Sequence, residues 1–188
     1  MKGARSVVEV RPLPLAVVVT IVNEWGDEPR AAAGETTDAF PDLDLLRVEQ
    51  PAQWEPVSGS TTADLVQVAN LMHPVFAARS GPECAERLNR LVGTAALRRR
   101  LVGNEWSVRE AWYAPPDRQV LAAATLSVVD RLRHEPDARR LGTCQGAECV
   151  DAFVDGSPAG RRRYCSVTCQ NRERARAYRA GKRATATR

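Results

Sequence analysis

Residues 144–169 read CQGAECVDAFVDGSPAGRRRYCSVTC and hold four of the five cysteines of the 188-residue chain. These four are Cys144, Cys149, Cys165 and Cys169, with the spacing C-x4-C-x15-C-x3-C. Two close pairs of thiolates on either side of a loop suit one tetrahedral zinc ion. Four thiolates also fill its coordination sphere, so no position remains for a catalytic water. We therefore predict a structural site with Zn²⁺ as the cofactor.

The segment around these cysteines has little else to hold it folded. Its sizeable apolar side chains are Leu141, Val150, Phe153, Val154, Tyr164, Val167 and Tyr178. So few cannot offset the chain entropy of a unit of this size. Structural zinc in finger peptides contributes on the order of 10 to 16 kcal/mol at neutral pH. We expect the fold of this segment to depend on the metal.

Local patterns predict the shape of the zinc segment. Residues 150–154 and 161–164 are expected to form a hairpin across Gly156-Ser157-Pro158, with Phe153 and Tyr164 covering the metal. Ser166 is placed to start a helix that carries the last ligand, Cys169.

Charge is distributed unevenly along the chain. Residues 141–188 carry ten Lys or Arg against four Asp or Glu, and residues 1–140 carry seventeen against nineteen. The tail is thus near +6 and the rest near −2. Four thiolates on Zn²⁺ would remove about two positive charges and leave the tail basic. A basic tail favours a polyanionic partner, and nucleic acid is the first to consider.

The candidate nucleic-acid contacts are arginines, which bind phosphates and guanine edges in bidentate fashion. On the predicted helix Arg172, Arg176, Arg179 and Arg183 are spaced four, three and four residues apart, so they share one face. Arg161, Arg162 and Arg163 precede the third cysteine. The alternative interpretation of so polar a helix is a loosely attached, solvated one.

Residues 1–138 are predicted to form a separate, mainly helical body with a few strands, an α+β unit. The β-branched run 15–22 predicts a buried strand, with a helix as the alternative, and it is too short to span a membrane. Residues 31–60 are predicted to be mostly loop with one short helix. Further helices are predicted from Thr61 or Thr62 to about Pro74, from Pro82 to Gly103 and from Asp117 to His134.

Two further features of this body lead to predictions. Arg98, Arg99 and Arg100 fall in the last turns of the predicted second helix, where the helix dipole explains them better than a second nucleic-acid patch does. Trp106, Val108, Glu110 and Trp112 alternate with other residues, which predicts a half-buried strand.

Residues 139–188 resemble a CGNR zinc finger, and the match covers about forty residues. The shared features are the four cysteines, the segment Phe153–Ser157, the basic run before Cys165 and Asn171-Arg172 after Cys169. Gln170 stands where the family name has glycine. The resemblance implies a treble-clef-like finger that binds DNA. It also implies an N-terminal ABATE-type domain, described as a stress-induced transcription regulator. Residues 1–138 resemble this domain more loosely, through the apolar segment 15–23.

Other classes of function fit less well. The chain has no Gly-x-Ser-x-Gly, P-loop, dinucleotide fingerprint or His-Glu-x-x-His motif, and its only histidines are His73 and His134. We therefore expect no enzyme. Protein-interaction and RNA-binding zinc modules remain alternatives. The best interpretation is a cytoplasmic bacterial DNA-binding transcription regulator, whose body senses an unknown small-molecule effector.

Overall fold

The computed structural model describes residues 6–44, 57 and 59–186, with residues 183–186 as helical backbone. Its helices are α1 (Leu15–Trp25), α2 (Asp27–Ala33), α3 (Thr62–Phe76), α4 (Gly81–Thr94), α5 (Gln119–His134) and α6 (Val167–Ala186). Its strands are β1 (Val8–Val10), β2 (Arg98–Asn104), β3 (Ser107–Ala114), β4 (Leu141–Thr143) and β5 (Ala152–Val154). The mixed helix and strand class predicted from the sequence is confirmed.

Helices α1, α3 and α5 enclose the core of the body. Fully buried side chains include Trp25, Leu65, Phe76 and Val128. The predicted start of α3 is confirmed by a capping box at Thr61, whose hydroxyl accepts a hydrogen bond from the Asp64 amide at 3.2 Å. Helix α5 also follows the prediction, after a 3₁₀ turn over Pro116–Arg118.

The prediction of a strand over residues 15–22 is wrong, because this segment is helix α1. Val18, Ile21, Val22 and Trp25 are fully buried, and they recur at the three- and four-residue spacing of one helical face. β-Branched residues cost a helix only a few tenths of a kcal/mol each, so burial against α3 and α5 overrides propensity. The helix ends at Gly26, and this position requires glycine because a Cβ there would lie 2.3 Å from the Val22 carbonyl oxygen.

The predicted end of the second helix at Gly103 is also wrong. Helix α4 stops at Thr94, where the Ala96 amide donates to the Gly93 carbonyl and the Leu97 amide to the Val92 carbonyl. Ala96 adopts a left-handed φ of 50°, a position that glycine usually fills. Arg98, Arg99 and Arg100 therefore lie on strand β2, and the helix dipole cannot explain them.

Strands β1, β3 and β2 form an antiparallel sheet in that order. The predicted strand around Trp112 is confirmed as β3, but its burial does not alternate as expected. Val10 pairs with Trp112 and packs on the core, whereas Trp106 at the β2–β3 turn is 100% exposed. Burial fails to alternate because the outer half of the β2–β3 hairpin extends past the helices.

The predicted loop region 31–60 is described only in part. Residues 31–33 complete α2, and Arg30 is buried while donating to the carbonyls of Glu35 and Asp38. Residues 45–56 and 58 lie outside the described residues. Across the described parts of the chain, every helix is too short or too polar to cross a lipid bilayer.

Candidate metal centre and arginine-rich helix

The zinc segment begins with a two-stranded hairpin whose partners differ from the prediction. Strand β5 pairs with β4, with Gly142 opposite Phe153, and not with residues 161–164. A Cβ on Gly142 would lie 2.8 Å from the Phe153 ring, so glycine lets that ring lie against β4. Tyr164 packs against the cysteines as predicted, whereas Phe153 is not part of the cysteine cluster.

Asp155 explains why residues 161–164 do not pair with β5. Its buried carboxylate accepts hydrogen bonds from the backbone amides of Ser157 and Arg162, each at 2.8 Å. The bonds from Ser157 and Arg162 hold the pKa of the Asp155 carboxyl below its ordinary value, with Arg140 adding to the effect. Arg140 also donates to the Asp155 and Ser157 carbonyls. The carboxylate thus fixes the loop that returns to the third cysteine, a role that the sequence analysis missed.

The first cysteine pair lies in a turn between β4 and β5. The Cys144 amide donates to the Asp151 carbonyl at 2.8 Å, and the Cys149 amide to the Gly146 carbonyl at 3.3 Å. These bonds fold residues 144–149 back so that both sulfurs point the same way. The Ala147 amide also donates to the Glu173 carboxylate at 3.1 Å, which ties this turn to α6.

The second cysteine pair lies at the start of α6, as predicted. The Ser166 hydroxyl accepts a hydrogen bond from the Cys169 amide at 3.1 Å, and its carbonyl accepts one from the Gln170 amide. Ser166 therefore caps the helix. Gln170 lies within the first turns of α6 with ordinary helical geometry, so its difference from the glycine of the family name does not strain this turn.

All four predicted ligands come together. The sulfurs of Cys144, Cys149, Cys165 and Cys169 lie within 4.8 Å of one another. Cys165 Sγ is 3.6 Å from the sulfurs of both Cys149 and Cys169. A tetrahedral zinc ion with bonds of about 2.3 Å requires sulfurs about 3.8 Å apart. The donor set and its spacing fit Zn²⁺, and the four cysteines form a zinc-binding site.

The surroundings of the four cysteine thiols favour a cation between their sulfurs. Burial raises the pKa of Cys149, and it raises that of Cys165 to about 12, so without a positive charge these groups hold their protons. At Cys169 burial acts in the same direction, but hydrogen bonds from Ser166 and Cys165 outweigh it and lower the pKa. A divalent cation would replace the protons, as in other thiolate sites.

The zinc segment packs directly against the body. Leu141 and Ala152 belong to the same hydrophobic core as α1 and α3. The Asn23 side chain pairs with strand β5, accepting from the Ala152 amide at 2.7 Å and donating to its carbonyl at 3.1 Å. His73 is buried, with Nε2 2.9 Å from the Val150 carbonyl oxygen and Nδ1 3.1 Å from the Glu28 carboxylate. His73 therefore joins α2, α3 and the zinc segment.

The predicted nucleic-acid residues before the third cysteine differ in their surroundings. Arg162 lies over the Phe153 ring at 5.2 Å and donates to the carbonyls of Tyr164 and Cys165. It stabilises the zinc segment. Arg163 is exposed and donates to the Gln145 side chain at 2.7 Å. Arg161 is exposed and forms no ion pair or side-chain hydrogen bond with the described residues.

The arginines of α6 project into solvent. Arg172 and Arg179 are exposed and form no ion pair with described residues, while Arg176 lies 4.0 Å from Glu173. The backbone places Arg183 on the same helical face, and its side chain lies outside the described part. The predicted row is thus present along the helix.

The basic run and the helical row lie on different sides of α6. A groove of about 400 Å³ is lined by Arg161, Arg162, Arg163, Tyr164, Ser166, Val167 and Gln170. At roughly 100° per residue, Val167 and Gln170 lie at least about 120° around the helix from Arg172, Arg176 and Arg179. Arg174 is exposed and lies on the same side of α6 as the groove. The sequence analysis missed it as a candidate nucleic-acid contact. Its spacing of four residues from Gln170 and from Tyr178 would have placed it on that side.

Two cysteines lie in a turn, and the other two lie just before and within the first turn of α6. Four cysteines placed around one metal position define a structural zinc module. The sequence profile of the CGNR zinc finger family matches residues 140–182, which run from just before β4 through most of the arginine-rich helix α6. No curated protein matches the chain. The resemblance of residues 1–138 to an ABATE-type domain stays a prediction.

Proposed function

We propose that this protein is a DNA-binding transcription regulator in which the zinc site positions an arginine-rich helix on DNA. The observation that carries the proposal is that α6 begins at a zinc ligand and then presents exposed arginines along its length. A helix without a broad apolar face is stabilised where it contacts a polyanion. In this proposal the module is treble-clef-like and the protein acts in the bacterial cytoplasm.

Two sides of α6 offer different contacts to a duplex. The row of Arg172, Arg176 and Arg179 suits phosphates or base edges in a groove, since a helix fits the major groove of B-DNA. The groove side, with Arg161, Arg163 and Arg174, suits a flanking phosphate strand. Contacts from both sides predict an affinity that falls steeply as salt rises.

The body is proposed to sense a small-molecule effector and not to catalyse a reaction. A groove of about 670 Å³ between α1 and the zinc module supports this part of the proposal. Its walls include Leu15 and Val19 from the body and Phe153 and Cys165 from the module. A molecule bound there would contact both units, so it could change how the module sits on DNA.

Selection of bound fragments from genomic DNA by the purified, zinc-loaded protein tests the proposal. We expect a recurring sequence among the bound fragments, lost when the metal is chelated and in Cys165→Ser. Cys84→Ser is the matched control, because Cys84 lies in α4 away from the zinc site, and it should select the same fragments.

A competition experiment with the same zinc-loaded protein separates DNA binding from the RNA-binding and protein-interaction alternatives. A duplex that competes better than single-stranded RNA of the same sequence supports DNA as the partner. Preference for the RNA, or fragments no different from those of a chelated sample, would contradict the proposal and favour the RNA-binding or protein-interaction alternatives.

A further inference from the structure

The outer half of the β2–β3 hairpin exposes apolar side chains that the zinc module does not explain. Leu101 is 74% exposed, Val108 67% and Trp106 100%. Leu101 lies opposite Glu110, and Val108 opposite Gly103, so both share a sheet face with Trp112 and its neighbour Val10. That face packs on the core at its inner end. Leu101 and Val108 therefore extend apolar surface outward on a face that also carries the Arg99–Glu110 ion pair.

Strand β2 is also an edge strand among the described strands, paired with β3 on one side only. A two-residue turn joins Asn104 to Ser107. These two residues are therefore the last pair of the β2–β3 hairpin, and they exchange backbone hydrogen bonds with each other. Alternation then directs the backbone N–H and C=O groups of Arg99, Leu101 and Gly103 away from β3. This edge can pair with another strand.

We propose that this edge is the contact surface for a second copy of the chain, with two β2 strands pairing antiparallel about a two-fold axis at Leu101. Leu101 then meets the partner's Leu101. Arg99 faces the partner's Gly103, which leaves room for the arginine side chain. The hairpin sheets of the two copies would join into one continuous sheet with the exposed apolar face shared between them.

The charges on β2 agree with this register. Arginines on an edge strand usually prevent pairing. Here Arg98 would face the partner's Asn104 and Arg100 the partner's Val102, so no arginine lies directly opposite another. Within its own chain Arg99 lies 3.6 Å from Glu110, and Arg100 stacks on Tyr113 at 5.3 Å, so both side chains are already held by β3. Moving the two-fold axis by two residues, from Leu101 to Arg99, would place Arg99 opposite the partner's Arg99.

Sedimentation velocity of the zinc-loaded full chain over a range of concentrations tests the surface. We expect wild type to change reversibly from the 20.6 kDa chain to twice that mass. Leu101→Lys should weaken self-association at least tenfold, because the two lysines would meet on the axis. Glu110 lies opposite residue 101 and can pair with the new lysine, so the hairpin should still fold. The matched control is Val167→Lys, the same charge change at an apolar residue 71% exposed on α6.

Cross-linking tests the register. Leu101→Cys should give a dimer with a short bis-maleimide, whereas Trp106→Cys should not, since the two turns would be about 30 Å apart in this pairing. A wild-type chain that stays monomeric without DNA, or a Leu101→Lys variant that associates like wild type, would overturn the proposal. If wild type is monomeric and Leu101→Lys no longer binds duplex DNA, the hairpin contacts DNA and not a second copy of the chain.

Discussion

At the scale of single residues, the zinc ligands were predictable and the residue that supports them was not. Cysteines are rare, so two close pairs such as Cys144 with Cys149 and Cys165 with Cys169 seldom occur together without a metal or a disulfide. Asp155 lies in a Gly- and Ser-containing loop, where aspartates are common. Its role depends on burial and on amides several residues away, and neither can be read from local sequence.

The contribution of Asp155 can be measured by Asp155→Asn. The amide can still accept from one of the two backbone donors but leaves the other poorly satisfied, so we expect a loss of about 1–3 kcal/mol in unfolding free energy of the zinc-loaded protein. Denaturant unfolding measures it. Glu148→Gln is the matched control, because Glu148 is exposed and forms no ion pair with described residues. Equal losses in the two variants would contradict the role given to Asp155.

The four-ligand assignment predicts the metal content of cysteine variants. Cys165→Ser should lose most of its zinc, since three thiolates cannot fill the site, while Cys84→Ser should retain it. Metal analysis after gel filtration gives the zinc content per chain. Unchanged zinc in Cys165→Ser would refute the assignment, even though Cys165 is the most exposed of the four.

At the scale of elements, predictions succeeded where local signals were strong. Thr61 with Asp64 marks the start of α3, and Ser166 the start of α6. The predictions of secondary structure failed where packing between distant segments decided the outcome. Residues 15–22 have the composition of a strand but form a helix because one face is buried by α3 and α5. The pairing of β4 with β5 joins residues separated by the whole cysteine turn, and periodicity gives no information about such partners.

The β4–β5 hairpin provides a prediction at this scale. Gly142→Ala should lower the unfolding free energy by about 1–3 kcal/mol, because the new methyl group collides with the Phe153 ring. Gly156→Ala is the matched control, since a Cβ there has no neighbour within 4 Å and the backbone is not left-handed. Thermal unfolding of zinc-loaded samples measures both. A Gly142→Ala midpoint equal to that of Gly156→Ala would show that Phe153 can move away at little cost.

At the scale of the whole molecule, the prediction that residues 1–138 fold separately needs a test in solution. Leu141 and Ala152 contribute to the body core, and Asn23 and His73 hold the zinc segment through its backbone. We expect chelation to unfold the module while most helical circular dichroism remains, with a lower melting midpoint for the body. Loss of most helical signal at room temperature would contradict a separately folding body. An unchanged melting midpoint of the body after chelation would show that its contacts with the zinc segment do not stabilise it.

The central claim is that zinc holds an arginine-rich helix for contact with DNA. The most direct test is a salt titration of duplex binding by fluorescence anisotropy, comparing wild type with Arg176→Ala/Arg179→Ala. If both arginines contact phosphates, the double variant should bind all sequences more weakly, and the slope of log affinity against log salt should fall by about two. Its zinc content should not change.

The matched control is Arg79→Ala/Arg90→Ala, which removes two exposed arginines from the body and should leave affinity and slope as in wild type. Chelated wild type should lose binding. Identical affinities and slopes for wild type and Arg176→Ala/Arg179→Ala would contradict the claim, because they would remove this face of α6 from the DNA interface.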